Sequence, residues 1–431
     1  MGLSCRFKAG SIGKIVIVSC FFAALLAGLA GCGNMVDDIK YTAKMMLRGH
    51  VDPSKLDTGL PVIKINTYKR QAITSKERYI DADIEIIDPN NSGNNLPKTG
   101  VEIRGRGNST WKANKKPYRI RFLKKTALFG YEKARSWVLL ANNQDTTLIL
   151  NTIAFELGIR IGFPFANHCT HAELVLNGRY EGSYVITEQV QVGRGRVDID
   201  EETGFLVELG SYDEEPKFQS SILELPIEIK HPEDLADDSG YALVKNAVNE
   251  FEAALFAATF PDNGYRDLID MDNFADYLLI NEITRNEDLQ IPHSVYLYRD
   301  GKDDARIKPG PLWDFDVGFD FDIHRGVYFN DAAGMFYNTV FRDEPGRIFF
   351  NRFFEDPRFR AKYKERWNRH YAEFAGMEAF IDQIAAKLEK SRLTDRKVWW
   401  WKKGDPQEEI KRMKDWWRRR IEYLNTEINK F

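Results

Sequence analysis

The stretch from Asn281 to Asp320 constrains this chain more than any other. It reads NEITRNEDLQIPHSVYLYRD, then a charged turn, then RIKPGPLWDFDVGFD. The pattern predicts a helix ending in a polar loop that carries Asp288, a strand from His293 to Tyr298, a turn at Asp300–Asp304 and a second strand from Arg306 to Leu312. Asp314 and Asp316 follow at the end of that strand. An acid, a hairpin and an acid pair can return carboxylates to one cleft, a grouping suited to a divalent metal and a triphosphate. At i, i+2 spacing on a regular strand, Asp314 and Asp316 share a face. Like charges on one face repel unless a cation joins them. Trp313 and Phe315, interleaved with the acids, argue against a merely solvated turn. Asp320 and Asp322 extend the acidity.

A chain of 431 residues with 43% hydrophobic and 29% charged residues can bury a large core. Its net charge of −3 argues against nucleic-acid binding driven by bulk charge. The N-terminus reads differently. Arg6, Lys8 and Lys14 precede an apolar run from Ile15 to Ala30, which ends in Leu29-Ala30-Gly31-Cys32. This is the pattern of a signal peptide, and the Cys after Leu-Ala-Gly resembles a bacterial lipobox. Cys32 is therefore expected to carry lipid and anchor the protein to the outer side of a membrane. A plain uncleaved anchor helix, or a signal peptide cut elsewhere, is the alternative. Cys5 and Cys20 would leave with the leader, so Cys169 alone remains in the body and no internal disulfide is expected.

In chain order, residues 33–58 read as a tether and 59–431 as the folded domain, with a β-rich part over about 59–230 and a helical part over 231–431. Strands are expected at Val62–Lys69, Tyr79–Ile87, Val101–Arg106, Pro117–Phe122 and Ser136–Asn142. Asp88–Gly100 (DPNNSGNNLPKTG) reads as a loop. Thr146–Ile159 has helical spacing with Asp145 or Thr146 as its cap. Ala172–Asn177 and Tyr180–Thr187 flank the hairpin turn Asn177-Gly178. Helices are expected at Ala242–Ala258, Met271–Thr284, in series from Arg347 to Leu388, and from Asp405 to Lys430. Asn330–Gly346 reads as loop.

Several residues suit phosphate chemistry. Arg104-Gly105-Arg106-Gly107-Asn108-Ser109-Thr110 leaves a strand in a glycine-rich turn, where backbone N–H groups and guanidinium groups can meet an anion; a tight turn with solvated arginines is the plainer reading. Lys116, ahead of PYRIRF, can grip phosphates if an acid such as Glu188 steadies it; a surface lysine and an unrelated glutamate are the plainer reading. Asp288 can take a proton from an acceptor hydroxyl. His168-Cys169-Thr170-His171 has no second cluster at zinc spacing and reads as a strand entry. No GxSxG elbow is present. A glycosidase using the Asp cluster and exposed tryptophans remains a second enzyme class.

Taken together, IRGRGNSTW, KKPYRIRF, ARSWVLLANNQDTTLILNTIAFELG, VLNGRYEGSYVITEQV with GRVDID, FADYLLINEITRNED, SVYLYRD and GPLWDFDVGF resemble the spore coat protein H family, the CotH kinase-like proteins. They span about Val101 to Phe319 in the family's order. The resemblance implies an α+β, two-lobed, atypical protein-kinase-like fold. It also implies ATP with Mg²⁺ or Mn²⁺ as cofactors and phosphate transfer to Ser or Thr of a protein. On this chain it makes Asp288 the catalytic acid/base, Asp314 and Asp316 the metal ligands, Arg104 and Arg106 phosphate contacts, and Lys116 with Glu188 the nucleotide-side pair. A catalytically silent surface binding, assembly or adhesion protein on the same fold is the rival reading.

Overall fold

The computed structural model describes residues 48–210, 217–232, 238–302, 304–322, 327–335, 344–399 and 404–431. The leader, Cys5, Cys20, Cys32 and most of the expected tether lie outside them, as does much of Asn330–Gly346. His50–Phe431 forms one compact unit. Among the described residues no helix is long and apolar enough to cross a membrane.

Seven strands close a barrel: β1 (Val62–Thr67), β2 (Ile80–Ile87), β3 (Leu96–Gly105), β4 (Tyr118–Thr126), β5 (Ala134–Leu140), β6 (Cys169–Leu176) and β7 (Arg179–Glu188). Neighbours run antiparallel except at the closing seam, where β1 lies parallel to β6 with Ile63 opposite Leu174. Alternate residues point inward, so Ile63, Ile65, Ile84, Ile103, Ile120 and Trp137 form a dry interior. Burying each such side chain is worth about 1.5–3 kcal/mol. Asn177 and Gly178 both take positive φ, 53° and 79°, the backbone a tight β6–β7 hairpin requires. β3 begins inside the expected Asp88–Gly100 loop. Leu96–Gly100 pairs only with β2, and the register slips between Ile84 and Ile86. Pro97 therefore sits on a free edge, where its missing N–H costs no ladder bond.

A second sheet has the order β12-β11-β8-β10-β9: β8 (Phe205–Leu209), β9 (Lys217–Gln219), β10 (Pro226–His231), β11 (Val295–Arg299) and β12 (Ile307–Pro309). Strands from the β-rich front and the helical back share this sheet. β13 (Phe321–Asp322) and β14 (Val327–Tyr328) form a short ribbon.

The helices are α1 (Leu150–Ile161), α2 (Asp238–Phe256), α3 (Met271–Thr284), α4 (Pro345–Phe353), α5 (Pro357–Ala375), α6 (Met377–Lys387), α7 (Glu389–Val398) and α8 (Pro406–Ile428). The chain is thus α+β, with the barrel in front and the helices behind. α1 starts later than its spacing predicts because Leu148 takes positive φ. Asp145 still serves the helix start: its carboxylate accepts from Thr147 N at 2.7 Å and Leu150 N at 3.0 Å. The acids of FADYLLINEITRNED clamp the helical core. Asp276 pairs with Arg366, and buried Glu282 pairs with Arg420 at 2.5 Å on α8.

α7 docks on the barrel through an ion pair excluded from water. Lys115 Nζ lies 2.6 Å from Asp395 Oδ1, with side chains 0% and 2% exposed. The same carboxylate oxygen accepts from Ser183 N at 3.0 Å. Gly182 (φ 106°) makes the approach possible, since a Cβ there would stand 2.2 Å from Asp395 Oδ1.

His171 lies on the barrel wall, 2% exposed, with Nε2 2.8 Å from Thr152 Oγ1. Burial pushes its pKa down to about 3, so the ring folds neutral. In the unfolded chain it takes up a proton near pH 6.5. Its contribution is complete above pH 6.5 and is lost as the pH falls from there toward 3. Urea unfolding at pH 7.5 and pH 5 is expected to show a stability loss of about 2 kcal/mol from this group. His171→Asn should remove that part of the loss.

Candidate functional site

The acid hairpin folds differently from the strand-end arrangement its spacing implies. α3 ends at Thr284, and Arg285 caps it in left-handed backbone (φ 49°). Asn286 then turns the chain: its Oδ1 accepts from Asp288 N at 3.3 Å, and its Nδ2 donates to Asn281 Oδ1 at 3.1 Å. Asp288 sits half-buried in this short turn. β12 stops at Pro309, so Asp314 and Asp316 lie beyond it in a loop and not on a pleated strand. Asp314 adopts positive φ (61°), which Asp tolerates better than most residues. That left-handed turn, and not strand alternation, brings the two carboxyl groups together.

The loop is pinned from behind. Phe315 N donates to Asn151 Oδ1 of α1 at 2.8 Å. Phe155 of α1 stacks on Trp313 at 6.1 Å and meets Phe315 edge-on at 6.5 Å. Ser294 Oγ donates to Asp314 Oδ2 at 3.3 Å. Asp320 is buried and pairs with Arg285 at 3.0 Å, which gives it a structural place beside the cluster.

Electrostatics joins the acids. Burial raises the Asp316 carboxyl well above the usual range, and the charge of Asp314, within hydrogen-bonding reach, adds to it; Asp288 and Asp145 push the same way. Burial likewise raises Asp288, with Asp314 as the strongest neighbouring charge. Arg106 reaches this cluster from the glycine-rich turn after β3, its guanidinium carbon 5.3 Å from the Trp313 ring centre. Burial lowers its pKa, while Asp314, Tyr296, Glu208 and Asp316 oppose that loss. The turn is tight: Gly107 has φ 80°, and a Cβ there would lie 2.1 Å from Thr110 Oγ1.

Arg106, Asp288, Asp314 and Asp316 are thus brought together, whereas Arg104, Lys116 and Glu188 are not. Arg104 lies on the outer barrel face over the Tyr79 ring, at 5.0 Å. Lys116 donates to Trp111 O at 2.6 Å and Ala113 O at 3.3 Å within its own loop. Glu188 accepts from His168 N at 2.9 Å and lies 3.0 Å from His168 Nδ1. No ion pair joins Lys116 to Glu188 among the described residues, and the buried lysine is Lys115, in the bend ahead of β4. Sequence reasoning missed Tyr296, Glu208 and Asp145 beside the acids. A charged residue inside the apolar run FLVEL was the available sign of Glu208. It faces Tyr296 across β8 and β11 and pairs with Lys230 at 2.9 Å.

A family model described as CotH kinase protein matches residues 103–424. The chain belongs to the CotH kinase family. The match runs from β3 into α8, so it contains every member of the acid cluster and the turn that carries Arg106. No curated protein matches this chain. As a CotH family member it is kinase-like.

Among the described residues, no three His, Cys, Asp or Glu side chains form a ready metal cage. The Asp314–Asp316 pair nevertheless suits Mg²⁺ or Mn²⁺. Mg²⁺ is commonly held by one or two carboxylates, with substrate phosphates and water completing the shell. Two carboxyl groups forced together in a buried loop favour a cation between them.

Proposed function

We propose that this CotH family protein transfers the γ-phosphate of ATP to a Ser or Thr hydroxyl of a protein substrate. The convergence of Asp288, Asp314, Asp316 and Arg106 supports this reading most. In it, the barrel and the helical part act as the two lobes of an atypical kinase-like fold.

Asp288 faces the acceptor and takes the hydroxyl proton. The new bond joins the acceptor oxygen to the γ-phosphorus. The bond from that phosphorus to the β–γ bridging oxygen breaks, and ADP leaves. Arg106, supported on Trp313, donates to phosphate oxygens as charge gathers on them. Asp314 and Asp316 would hold Mg²⁺ or Mn²⁺, which when bound neutralises polyphosphate charge. Asn151 and Ser294 keep the acid loop in place, so little reorganisation is needed. The test is incubation of the purified protein with γ-labelled ATP, Mg²⁺ or Mn²⁺ and a Ser-rich acceptor. Label on acceptor serine or threonine supports the proposal, and absence of label together with no thermal shift by any nucleotide and metal removes it.

We further propose that the protein is a lipid-anchored, extracytoplasmic lipoprotein. The charged start, the apolar run Ile15–Ala30 and Leu29-Ala30-Gly31-Cys32 support this. Cys32→Ala is expected to shift the protein from the detergent phase to the aqueous phase on Triton X-114 partition. Unchanged partition would remove Cys32 as the anchor.

A further inference from the structure

A cleft of about 270 Å³ lies between α1, the segment entering β6, and α6. It shares one residue with the wall of the acid site: Phe155 lines it and also stacks behind Trp313. None of the residues assigned to phosphate transfer lines it, so it is a separate site. Its volume is near the foot of the range for small-molecule pockets, roughly 300–1,000 Å³, and suits a compact ligand.

The lining sorts by chemistry. Phe155, Ile159, Phe380 and Ile384 supply apolar wall, and Ile159 remains 41% exposed. Of the charged groups around it, most are already matched. Glu156 pairs with Arg160 at 2.8 Å, and Glu188 holds His168 at 3.0 Å. Lys387, the last residue of α6, lines the cleft and has no ion pair among the described residues. A solvent-exposed lysine without an ion pair among the described residues therefore borders an apolar hollow. His171 contributes to the floor, and its Nδ1 has no hydrogen-bond partner within the protein.

We propose that this cleft binds a small amphipathic carboxylate. Its apolar body lies against Phe155, Ile159, Phe380 and Ile384, and its carboxylate meets Lys387. Arg160, over the Phe380 ring at 5.3 Å, is matched by Glu156, so a compact aryl-alkanoate matches the aromatic walls, the size and the lysine that has no ion pair among the described residues. The match needs both parts: the apolar wall removes the body from water, and Lys387 distinguishes an acid from its neutral amide.

The test is calorimetric titration of the full chain with 4-phenylbutanoate and, separately, 4-phenylbutanamide, without nucleotide or metal. Its outcome is thus independent of phosphate transfer. We expect saturable binding of the acid at one site and binding of the amide at least tenfold weaker. Lys387→Ala should abolish that difference. Ile159→Trp, which fills the hollow from an already exposed position, should weaken both ligands at least tenfold. No saturable binding of the acid, equal binding of acid and amide to the wild type, or acid binding unchanged in both variants would overturn the proposal.

Discussion

Asp288→Asn is expected to lower phosphate transfer by about a hundred- to ten-thousand-fold, the usual worth of a positioned general base, while leaving the fold intact. The local turn uses the backbone of residue 288 and not its carboxylate. Asp288 N donates to Asn286 Oδ1, and Asp288 O accepts from His293 N at 3.1 Å. Asn is close to isosteric, so both bonds survive. The substitution also removes a charge that burial and Asp314 disfavour. The variant should therefore unfold at a temperature no lower than the wild type, as expected when a strained site serves function. Calorimetry beside the labelled-ATP assay checks both halves. Full activity in the variant, or inactivity caused by unfolding, would count against Asp288 as the base.

Lys115→Ala should produce the largest stability loss. It leaves Asp395 buried beside the barrel without its cation, and breaking a buried pair this way costs about 3–5 kcal/mol. Lys116→Ala, one residue later, removes hydrogen bonds to Trp111 O and Ala113 O in a half-buried loop and should cost about 1 kcal/mol. Paired Lys115→Met and Asp395→Leu changes should recover much of the loss, because replacing both ions by apolar groups removes the unmet charge. Urea unfolding of the variants measures each step. Equal losses for the Lys115 and Lys116 variants would show that the Lys115–Asp395 pair does not hold α7 to β7.

These adjacent lysines show where the sequence is legible. Local patterns place most strands within a few residues, and Met271–Thr284 is found as its apolar spacing indicates. Asn177-Gly178 reads as a turn because only a few residues accept its backbone. Lys115 and Lys116 look alike in sequence, yet only Lys115 is directed to a partner 280 positions away, Asp395. Barrel closure and helix docking decide that phase, and neither is local. The Asp314–Asp316 pair teaches a related lesson. Their spacing suggested contact, and contact is what the fold produces, but through left-handed backbone at Asp314 rather than a pleat. Arg104 and Arg106 share one motif but separate, because Arg106 lies past the end of β3 where the turn swings it over Trp313. Glu208 was hidden because its relation to Tyr296 depends on pairing strands far apart in the chain.

In the proposed reaction Asp314 and Asp316 hold a metal that recruits ATP beside Arg106, while Asp288 serves the acceptor. Calorimetric titration of ATP into the wild type, Asp314→Asn and Asp288→Asn, each with Mg²⁺ and again with chelator, tests it most directly. The predicted result is metal-dependent ATP binding by the wild type and Asp288→Asn, lost in Asp314→Asn and lost in every protein when metal is removed. ATP binding that persists in Asp314→Asn, or that ignores the chelator, would contradict it.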